Sequence, residues 1–332
     1  MIGTLPPDLP DFHATHAAIR SLVRVTPLLE APDLSRRLGR PVLLKLENLQ
    51  ATGSFKVRGA SARLAALDAE ARARGVVACS SGNHGRAVAF VAERLGIPAT
   101  VCVPDWVDPV KLQGIRGHGA EAVLVGPTYD ESELHAQALA RTSGRTFVSA
   151  FDDPLVVAGQ GTLALEIMDG IDEPAAAVLA PLSGGGLMAG IAGALRQSMG
   201  ADAPAAVAVT AQRAGVMRAS LEAGHPVELP EEPTLANALA GGIGLDNRYS
   251  FRWVRDLVDE HTTVTEEAIR DAMAWAFREY RLVVEGGGAT ALAAILSGAW
   301  RPTSGRPGPV VVVLSGGNVS LEVLLDVLRD PA

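Results

Sequence analysis

One lysine of this chain stands in a setting that suits covalent chemistry. Lys56 lies within ATGSFKVRGA (51–60), directly after Phe55 and between Gly53 and Gly59. Burial lowers the pKa of a lysine because desolvation disfavours the charged form, and a neutral amine is nucleophilic. Such an amine can form a Schiff base with a carbonyl compound. The alternative is a solvated lysine at a helix start, which the neighbours Phe55 and Gly59 disfavour.

A second segment has the composition of an anion-binding loop. PLSGGGLMAG (181–190) follows an apolar strand pattern and opens a helical pattern. Consecutive glycines let the backbone approach a phosphate, and the N–H groups at a helix start point toward its negative charge. No Lys-Ser/Thr pair follows, and the order GxGxxG of a dinucleotide site is missing. The other interpretation is a tight turn with close helix packing.

Two further polar glycine loops follow strand patterns. SSGNHGRA (80–87) precedes a helical pattern, and its N–H groups could hold a small carboxylate, although Ser80 or Ser81 could instead simply cap the helix. LSGGNVS (314–320) places Ser315 and Asn318 at the carboxyl end of a strand, where open α/β sheets bind ligands. Three such loops fit one composite site better than three independent turns.

Together these segments indicate pyridoxal 5′-phosphate (PLP) as the carbonyl compound. That cofactor needs a lysine for its aldehyde, a site for its phosphate and a partner for its ring nitrogen. Lys56, the loop 183–187 and Ser315 could fill those roles.

The elements that position these loops are short apolar strands alternating with helices. Strand patterns occupy 42–47, 75–80, 99–104, 122–126, 146–150, 175–181, 205–211 and 309–315. Continuous apolar strands separated by helices predict an α/β fold with parallel sheets covered on both faces. Eight strands are too many for one small sheet, so we expect two sheets, each flanked by helices. We expect the strands from 75 to 126 to form one sheet and the others to form the second. The predicted domains are a large cofactor-binding domain (1–67 and 151–332) and a small mobile domain inserted in it (68–150), with the ligand in the cleft between them.

Composition excludes several classes of function. The chain has 332 residues, of which 48% are hydrophobic, 20% charged and only 4% aromatic, and its net charge is −8. It has no long basic run, so we expect no nucleic-acid partner. The uncharged span 175–195 contains Pro181 and the glycine run, which predicts strand, loop and helix rather than a membrane helix. Cys79 and Cys102 lie in valine-rich strand patterns and are predicted to be buried, reduced thiols, as in a cytoplasmic protein.

At this point the sequence resembles a known family. KLENLQATGSFKVRGA (45–60) is similar to the Schiff-base motif of fold type II (tryptophan synthase beta-like) PLP enzymes, in the threonine dehydratase and serine racemase branch. The three glycine loops resemble that family's other motifs, in the same order and at similar separations. The likeness extends from about Thr26 to Leu328, and this family is often dimeric.

The resemblance implies a role for each matching residue. Lys56 would carry the cofactor and move protons at the substrate's α-carbon, and Phe55 would pack near the ring. Asn83 would bond the ring's phenolic oxygen, Ser315 would face the ring nitrogen, and Glu285, in LVVEGGGA, would lie near the ring. The phosphate would be held by Ser183, Gly184, Gly185, Gly186 and Leu187, and the substrate carboxylate by Ser81, Gly82, Asn83 and His84.

The implied reaction is elimination of water from a β-hydroxy-α-amino acid, which gives a 2-keto acid and ammonia through an aminoacrylate-type intermediate. Lys56 would remove the α-proton. A serine at the ring nitrogen, unlike a carboxylate, would leave that nitrogen largely unprotonated. This favours prompt departure of the β-hydroxyl group.

Several positions depart from the resemblance or leave alternatives open. Gln212 stands where serine racemase relatives have a metal-binding glutamate, so we expect no metal there. The family's Ala-Asp-Gly turn reads Ala236-Asn237-Ala238. Ser81, the residue type that racemases use as the base on the opposite face, keeps serine-type racemisation open as the alternative to dehydration. Segments 209–226 and 238–251 resemble dehydratases linked to phenylserine and to hydroxyectoine degradation.

Two other classes of function are weighed against the enzyme. A non-catalytic binding protein with the same fold is disfavoured by the intact Lys56, Ser81 and Ser315. A nucleotide-dependent oxidoreductase is disfavoured by the order of the glycines. The remaining expectations are a small amino-acid substrate, a homodimer and no membrane partner.

Overall fold

The computed structural model describes residues 5–80, 82–105, 107, 109–303 and 305–329. Its strands, in chain order, are β1 (Leu28–Glu30), β2 (Val42–Leu46), β3 (Val76–Cys79), β4 (Ala99–Val103), β5 (Glu121–Leu124), β6 (Thr146–Phe147), β7 (Ala177–Pro181), β8 (Ala205–Ala211), β9 (Glu260–Val264) and β10 (Val310–Leu314). Its α-helices are α1 (Phe12–Ile19), α2 (Pro32–Leu38), α3 (Lys56–Ala65), α4 (Ala69–Arg74), α5 (Asn83–Leu95), α6 (Pro109–Arg116), α7 (Tyr129–Ser143), α8 (Pro154–Asp169), α9 (Gly186–Met199), α10 (Val216–Ala223), α11 (Ser250–Leu257), α12 (Glu266–Tyr280), α13 (Gly286–Leu296) and α14 (Leu321–Arg329). Short 3-10 helices span Glu47–Leu49, Gly200–Asp202 and Asn237–Leu239.

The strands form two sheets, which confirms the predicted α/β class. The larger sheet has the order β1-β2-β10-β7-β8-β9, and the smaller has the order β5-β4-β3-β6. All neighbouring strands are parallel except β1, which pairs with β2 in antiparallel fashion at the edge. The larger sheet thus combines strands from before and after the smaller one. The predicted domain boundaries at 67/68 and 150/151 stay a prediction.

Two details of the sequence interpretation are wrong. The interpretation places the segment 146–150 in the larger sheet, but its first two residues form β6 and pair with β3 in the smaller sheet. The remaining three residues form no strand, although Val148 N still donates to the carbonyl oxygen of Val77 in β3 at 2.8 Å. The strands β1 and β9 are absent from the predicted set. They lie at the two edges of the larger sheet, where one side needs no partner and the apolar pattern is weak.

Strand β10 is continuously apolar because it is covered by a hydrophobic core on each face of the larger sheet. Val310 and Val312 belong to the core on one face of the larger sheet, and Val311 and Val313 belong to the core on the other. Successive side chains of a strand point to opposite faces, so a strand covered on both faces needs apolar residues throughout. Its carboxyl end leads directly into Ser315.

Helix α3 connects the two sheets. Its residues Val57, Ala60 and Leu64 pack in the core of the smaller sheet. Its backbone also lies against α8, because a Cβ atom added at Gly159 would lie 2.3 Å from the carbonyl oxygen of Arg58. The start of α8 is fixed by Asp153, whose carboxylate accepts hydrogen bonds from the backbone N–H groups of Leu155 and Val156.

The structure tests the predictions for the uncharged span 175–195 and for the two cysteines. The uncharged span 175–195 contains β7, a glycine turn and the first part of α9, as predicted. Across the described ranges, no helix is both long and apolar enough to cross a bilayer. Cys79 and Cys102 are buried and face each other on the adjacent strands β3 and β4. Burial, together with the nearby Glu121 carboxylate, raises the pKa of the Cys102 thiol to about 11.

Candidate active site

Lys56 is the first residue of α3 and is partly buried. Its Nζ atom donates a hydrogen bond to the carbonyl oxygen of Ala150 at 2.8 Å and lies 5.3 Å from the centroid of the Phe55 ring. Burial lowers the pKa of Lys56 to about 8, although the negative charge of Glu285 acts in the opposite direction. A substantial fraction of this amine is therefore neutral near physiological pH, as a nucleophile requires.

The triple-glycine segment forms a tight turn before α9. Gly185 has a φ of +86°, a left-handed conformation that favours glycine. A Cβ atom added at Gly184 would lie 2.3 Å from the ring of Phe151, and one at Gly186 would lie 2.9 Å from the carbonyl oxygen of Phe151. The first backbone N–H groups of α9 have no partner within the helix, so this closely packed turn can bind an anion. Leu187 contributes only its backbone here, because its side chain is buried in the core.

The segment Ala150–Phe151 brings the lysine and the glycine turn together. The carbonyl oxygen of Ala150 accepts the hydrogen bond from Lys56, while the next residue packs on Gly184 and Gly186. Ser183 is held on the other side, because its hydroxyl donates to the carbonyl oxygen of Leu239 at 2.9 Å. The Lys56 amine and the glycine turn before α9 therefore contact the same segment, Ala150–Phe151.

Asn83 belongs to a chain of directed hydrogen bonds. Its Nδ2 atom donates to Glu285 Oε1 at 2.6 Å, and its Oδ1 atom accepts from Asn318 Nδ2 at 2.6 Å. Asn318 Oδ1 in turn accepts from Arg86 Nη1 at 3.2 Å. The chain runs from a cation to an anion and fixes which way the Asn83 amide points. The second N–H bond of Asn83 Nδ2 can then be given to a ligand.

Ser315 is joined to the turn that carries Lys56. It follows β10 and is 4% exposed, and its carbonyl oxygen accepts a hydrogen bond from Phe55 N at 3.1 Å. Ser54 and Gly316 form a β-bridge beside it. Glu285 N donates to the carbonyl oxygen of Gly316, so these groups lie together at the carboxyl end of β10.

The predicted carboxylate-binding loop is only partly described. Ser81 lies outside the described residues. Gly82 N donates to Ser80 Oγ at 3.1 Å, and α5 begins at the next residue, Asn83. This places the first N–H groups of a helix at the end of β3, as an anion site requires.

His84 is a buried, neutral histidine. It is 4% exposed, and its Nε2 atom donates to the carbonyl oxygen of Val148 at 2.9 Å. Burial, with a further contribution from the positive charge of Lys56, lowers the pKa of His84 to about 3, against the opposing effect of the bond to Val148. The side chain thus holds α5 against the segment that leads to Ala150. Its role toward a substrate carboxylate stays a prediction.

This histidine is expected to make the fold sensitive to acid. Because its folded-state pKa is depressed, its full contribution to stability is present above pH 6.5 and is lost as the pH falls toward 3. The wild-type chain should lose about 2 kcal/mol through His84 between pH 7 and pH 5. His84→Gln keeps a donor and should lose correspondingly less, as measured by urea unfolding at the two pH values. His13→Gln, at an exposed histidine, is the control; equal acid sensitivity of all three proteins would contradict the assignment.

The departures from the motif pattern lie near the site. Gln212 and Arg213 are exposed after β8, and Arg213 Nη1 donates to the carbonyl oxygen of Pro233 at 3.0 Å. The turn Ala236–Ala238 contributes to the 3-10 helix whose last residue, Leu239, holds Ser183. The prediction that no metal binds at Gln212 stays a prediction.

Sequence interpretation missed several residues of the site. No sequence motif includes Ala150 or Phe151. Every residue has a backbone carbonyl group like the one that Ala150 uses, and the Phe151 ring only packs against Gly184. Arg86 lies inside the quoted loop 80–87, and Asn318 inside 314–320, but their contact with each other depends on how the two sheets meet.

The groups at the site fit PLP. The amine of Lys56 has a lowered pKa, and the turn at Gly184 is packed so closely that a Cβ atom would be excluded. Asn83 offers an amide of fixed orientation, and Ser315 offers a hydroxyl at the strand end. These are the kinds of group that the cofactor needs for its attachment, its phosphate and its ring.

Comparison with known proteins agrees with this geometry. The family model described as "Pyridoxal-phosphate dependent enzyme" matches residues 19–316. The L-threonine ammonia-lyase of Geobacter sulfurreducens is 40% identical over 306 residues, which cover 92% of this chain and 74% of that protein. The crystal structure of the threonine deaminase from T.th. is 38% identical, with a TM-score of 0.83, and the match covers 95% of this chain and 99% of that one. The structure of maize serine racemase is 30% identical, with a TM-score of 0.88, and the match covers 96% of this chain and 95% of that one. The chain therefore belongs to the family of pyridoxal-phosphate dependent enzymes.

Proposed function

We propose that this protein is a PLP-dependent dehydratase that eliminates water from a β-hydroxy-α-amino acid and yields a 2-keto acid and ammonia. The proposal depends on the segment Ala150–Phe151. Ala150 accepts a hydrogen bond from Lys56, whose pKa is lowered, and Phe151 packs against the glycine turn that precedes α9. The similarity to a threonine ammonia-lyase and a threonine deaminase supports the reaction class.

Different residues would bind the phosphate and the ring of PLP. When bound, PLP supplies an aldehyde for the lysine amine and an electron-withdrawing ring for the substrate's α-carbon. The backbone from Ser183 to Leu187 would hold the phosphate, and Phe55 would pack beside the ring. Glu285 and Asn318 fix the orientation of the Asn83 amide, whose second N–H bond would be given to the ring oxygen.

Lys56 also serves as the base. When it is not bonded to the cofactor, its amine would take the proton from the substrate's α-carbon. With a pKa of about 8, roughly a tenth of that amine is unprotonated at pH 7, and it is still basic enough to accept a proton. Gly82, Asn83 and His84, together with Ser81, orient the substrate carboxylate in this proposal. Ser315 would provide a neutral partner to the ring nitrogen, which would favour loss of the β-hydroxyl group.

We propose a phenylserine-type or hydroxylated diaminobutyrate substrate rather than plain threonine. The resemblance of segments 209–226 and 238–251 to dehydratases linked to phenylserine and to hydroxyectoine degradation supports this. The chain between these two segments packs next to Glu285, since a Cβ atom at Gly286 would lie 2.1 Å from the carbonyl oxygen of Leu235.

A substrate panel tests the proposal. Keto acid is measured with serine, threonine, phenylserine, hydroxyaspartate and hydroxylated diaminobutyrates, and the D-amino acid is measured in the same incubations. We expect keto acid with kcat/KM highest for phenylserine or a hydroxylated diaminobutyrate, at least about tenfold above threonine, since one pocket contact changes discrimination by that order. D-amino acid without keto acid would identify the racemase alternative, and no turnover of any substrate would refute the function.

The proposal includes a homodimer that works in the cytoplasm. Three exposed apolar side chains, Val25, Leu49 and Val283, support a partner surface. They are linked through Arg24 Nη1, which donates to the Leu49 carbonyl oxygen, and Asn48 Nδ2, which donates to that of Val283. Sedimentation velocity of the purified chain measures its mass in solution.

A further inference from the structure

Four charged side chains are buried together beneath helix α3. The buried ion network consists of Lys45, Glu47, Arg58 and Glu166, whose side chains are between 0% and 2% exposed. Their two positive and two negative charges cancel. No group of the proposed reaction belongs to this network.

Arg58 lies at its centre, between the two carboxylates. Glu47 accepts from Nε and Nη2, both at 2.8 Å. Glu166 accepts from Nη1 at 2.7 Å and from Nη2 at 2.8 Å. Nη1 also donates to Thr162 Oγ1 at 3.2 Å, and Nη2 to the carbonyl oxygen of Arg24 at 3.3 Å. Two bidentate pairs fix a planar guanidinium in position and direction.

The fourth member, Lys45, extends the network to strand β2. Lys45 Nζ donates to Glu166 Oε2 at 2.6 Å and to the carbonyl oxygen of Thr26 at 2.8 Å. Thr26 Oγ1 donates to Glu47 Oε1 at 2.5 Å. The hydrogen bonds and charges of Arg58 and Lys45 outweigh the effect of burial and lower the pKa of Glu166. The Glu166 carboxylate is thus an acceptor in the folded protein.

Stability alone gives a weak reason for such a network. Desolvation of four charges offsets most of their mutual attraction, and apolar side chains of similar volume often stabilise a core equally well. Directed hydrogen bonds differ from apolar packing in fixing the relative position of the elements that they join.

The elements joined are those that carry both ends of the Lys56 contact. Lys56 and Arg58 lie on the first turn of α3, about 200° apart, so Arg58 points away from the lysine and acts through the helix backbone. Ala150, which accepts the bond from Lys56, lies four residues before α8, and α8 carries Glu166. Gly59 N also donates to Gln160 Oε1 at 3.1 Å, so α3 is bound to α8 at a second point.

We propose that Arg58, through the buried ion network, is a positioning residue that holds the Lys56 amine against Ala150 and beside the glycine turn. The inference rests on the proposed function for its catalytic consequence. It predicts that replacing the four charged side chains with apolar ones preserves the fold but displaces the Lys56 amine.

The test compares an apolar variant with wild type. The variant carries Lys45→Met, Glu47→Leu, Arg58→Met and Glu166→Leu, with Thr26→Val because that hydroxyl would otherwise lose its acceptor. We expect a urea midpoint close to that of wild type, and a kcat lower by about tenfold or more with KM little changed, because small displacements of a reacting group cost that much. The pH midpoint for covalent attachment of added PLP to the apo full-length chain should rise above that of wild type, since a misplaced amine is better hydrated.

Controls keep the outcomes separate. Arg270→Met with Asp326→Asn removes a surface ion pair and should change neither kcat nor the pH midpoint. If the apolar variant does not fold, Lys45→Met with Glu47→Gln removes one charge of each sign and keeps the pairing of Arg58 with Glu166; it should show smaller shifts in the same directions. A folded variant with wild-type kcat and pH midpoint would overturn the proposal. If wild type itself turns over no substrate, the proposed function fails, and the pH midpoint alone decides the positioning role.

Discussion

Lys56→Ala is expected to lower keto-acid formation by about a thousandfold or more, because it removes both the attachment point of the cofactor and the base at the α-carbon. The visible absorbance of the bound cofactor should disappear from the purified variant. The fold should persist, since Lys56 makes one hydrogen bond to a backbone carbonyl and an aromatic contact. Keto acid measured with the best substrate of the panel, together with the absorption spectrum, checks the prediction.

The chain offers a matched control because it has only three lysines, Lys45, Lys56 and Lys111. Lys111→Ala removes the lysine of α6 and should keep both the cofactor spectrum and the activity. Borohydride reduction of the wild-type holoenzyme, followed by peptide mass spectrometry, should place the cofactor mass on the peptide that contains Lys56. Label on another lysine, or activity retained by Lys56→Ala, would refute the assignment of the active site.

The sequence permitted prediction of those features that are written locally. A glycine run after an apolar strand predicts that the strand ends in a loop, and the structure has such loops after β7 and β10. The apolar strand pattern also predicts a doubly covered sheet, as the alternation of Val310 to Val313 between two cores shows. Phe55 and Gly59 disfavour a solvated Lys56, and the structure has this lysine partly buried.

Features that depend on how distant segments meet could not be predicted in this way. Strand β6 has two residues, too few for a period to show which sheet it joins. Phe151 is adjacent to Gly184 only because the chain returns from the smaller sheet at that point. Glu47 and Arg58 are 11 residues apart and Glu166 is 108 residues beyond Arg58, so nothing local marks them as partners.

A second prediction follows from the close packing of the glycine turn. Gly184→Val is expected to raise the dissociation constant for PLP on the order of 10- to 100-fold, because its Cβ atom would lie 2.3 Å from ring atoms of Phe151. Overpacking of this kind costs about 1–3 kcal/mol, and each 1.4 kcal/mol is tenfold in affinity. Either the ring or the turn must move, and the N–H groups that face the phosphate move with the turn. Titration of the apo chain with PLP, followed by absorbance, measures the effect.

The size of the effect should depend on Phe151, and a double-mutant cycle shows whether it does. Phe151→Ala removes the ring that the new side chain meets, so the double variant Gly184→Val with Phe151→Ala should bind PLP more tightly than Gly184→Val alone. Gly305→Val places a side chain where no atom lies within 4 Å and should leave the affinity unchanged. Unchanged affinity in Gly184→Val would show that the turn does not hold the phosphate. Equal loss with and without the Phe151 ring would show that the backbone of the turn, and not its contact with the segment Ala150–Phe151, determines the binding.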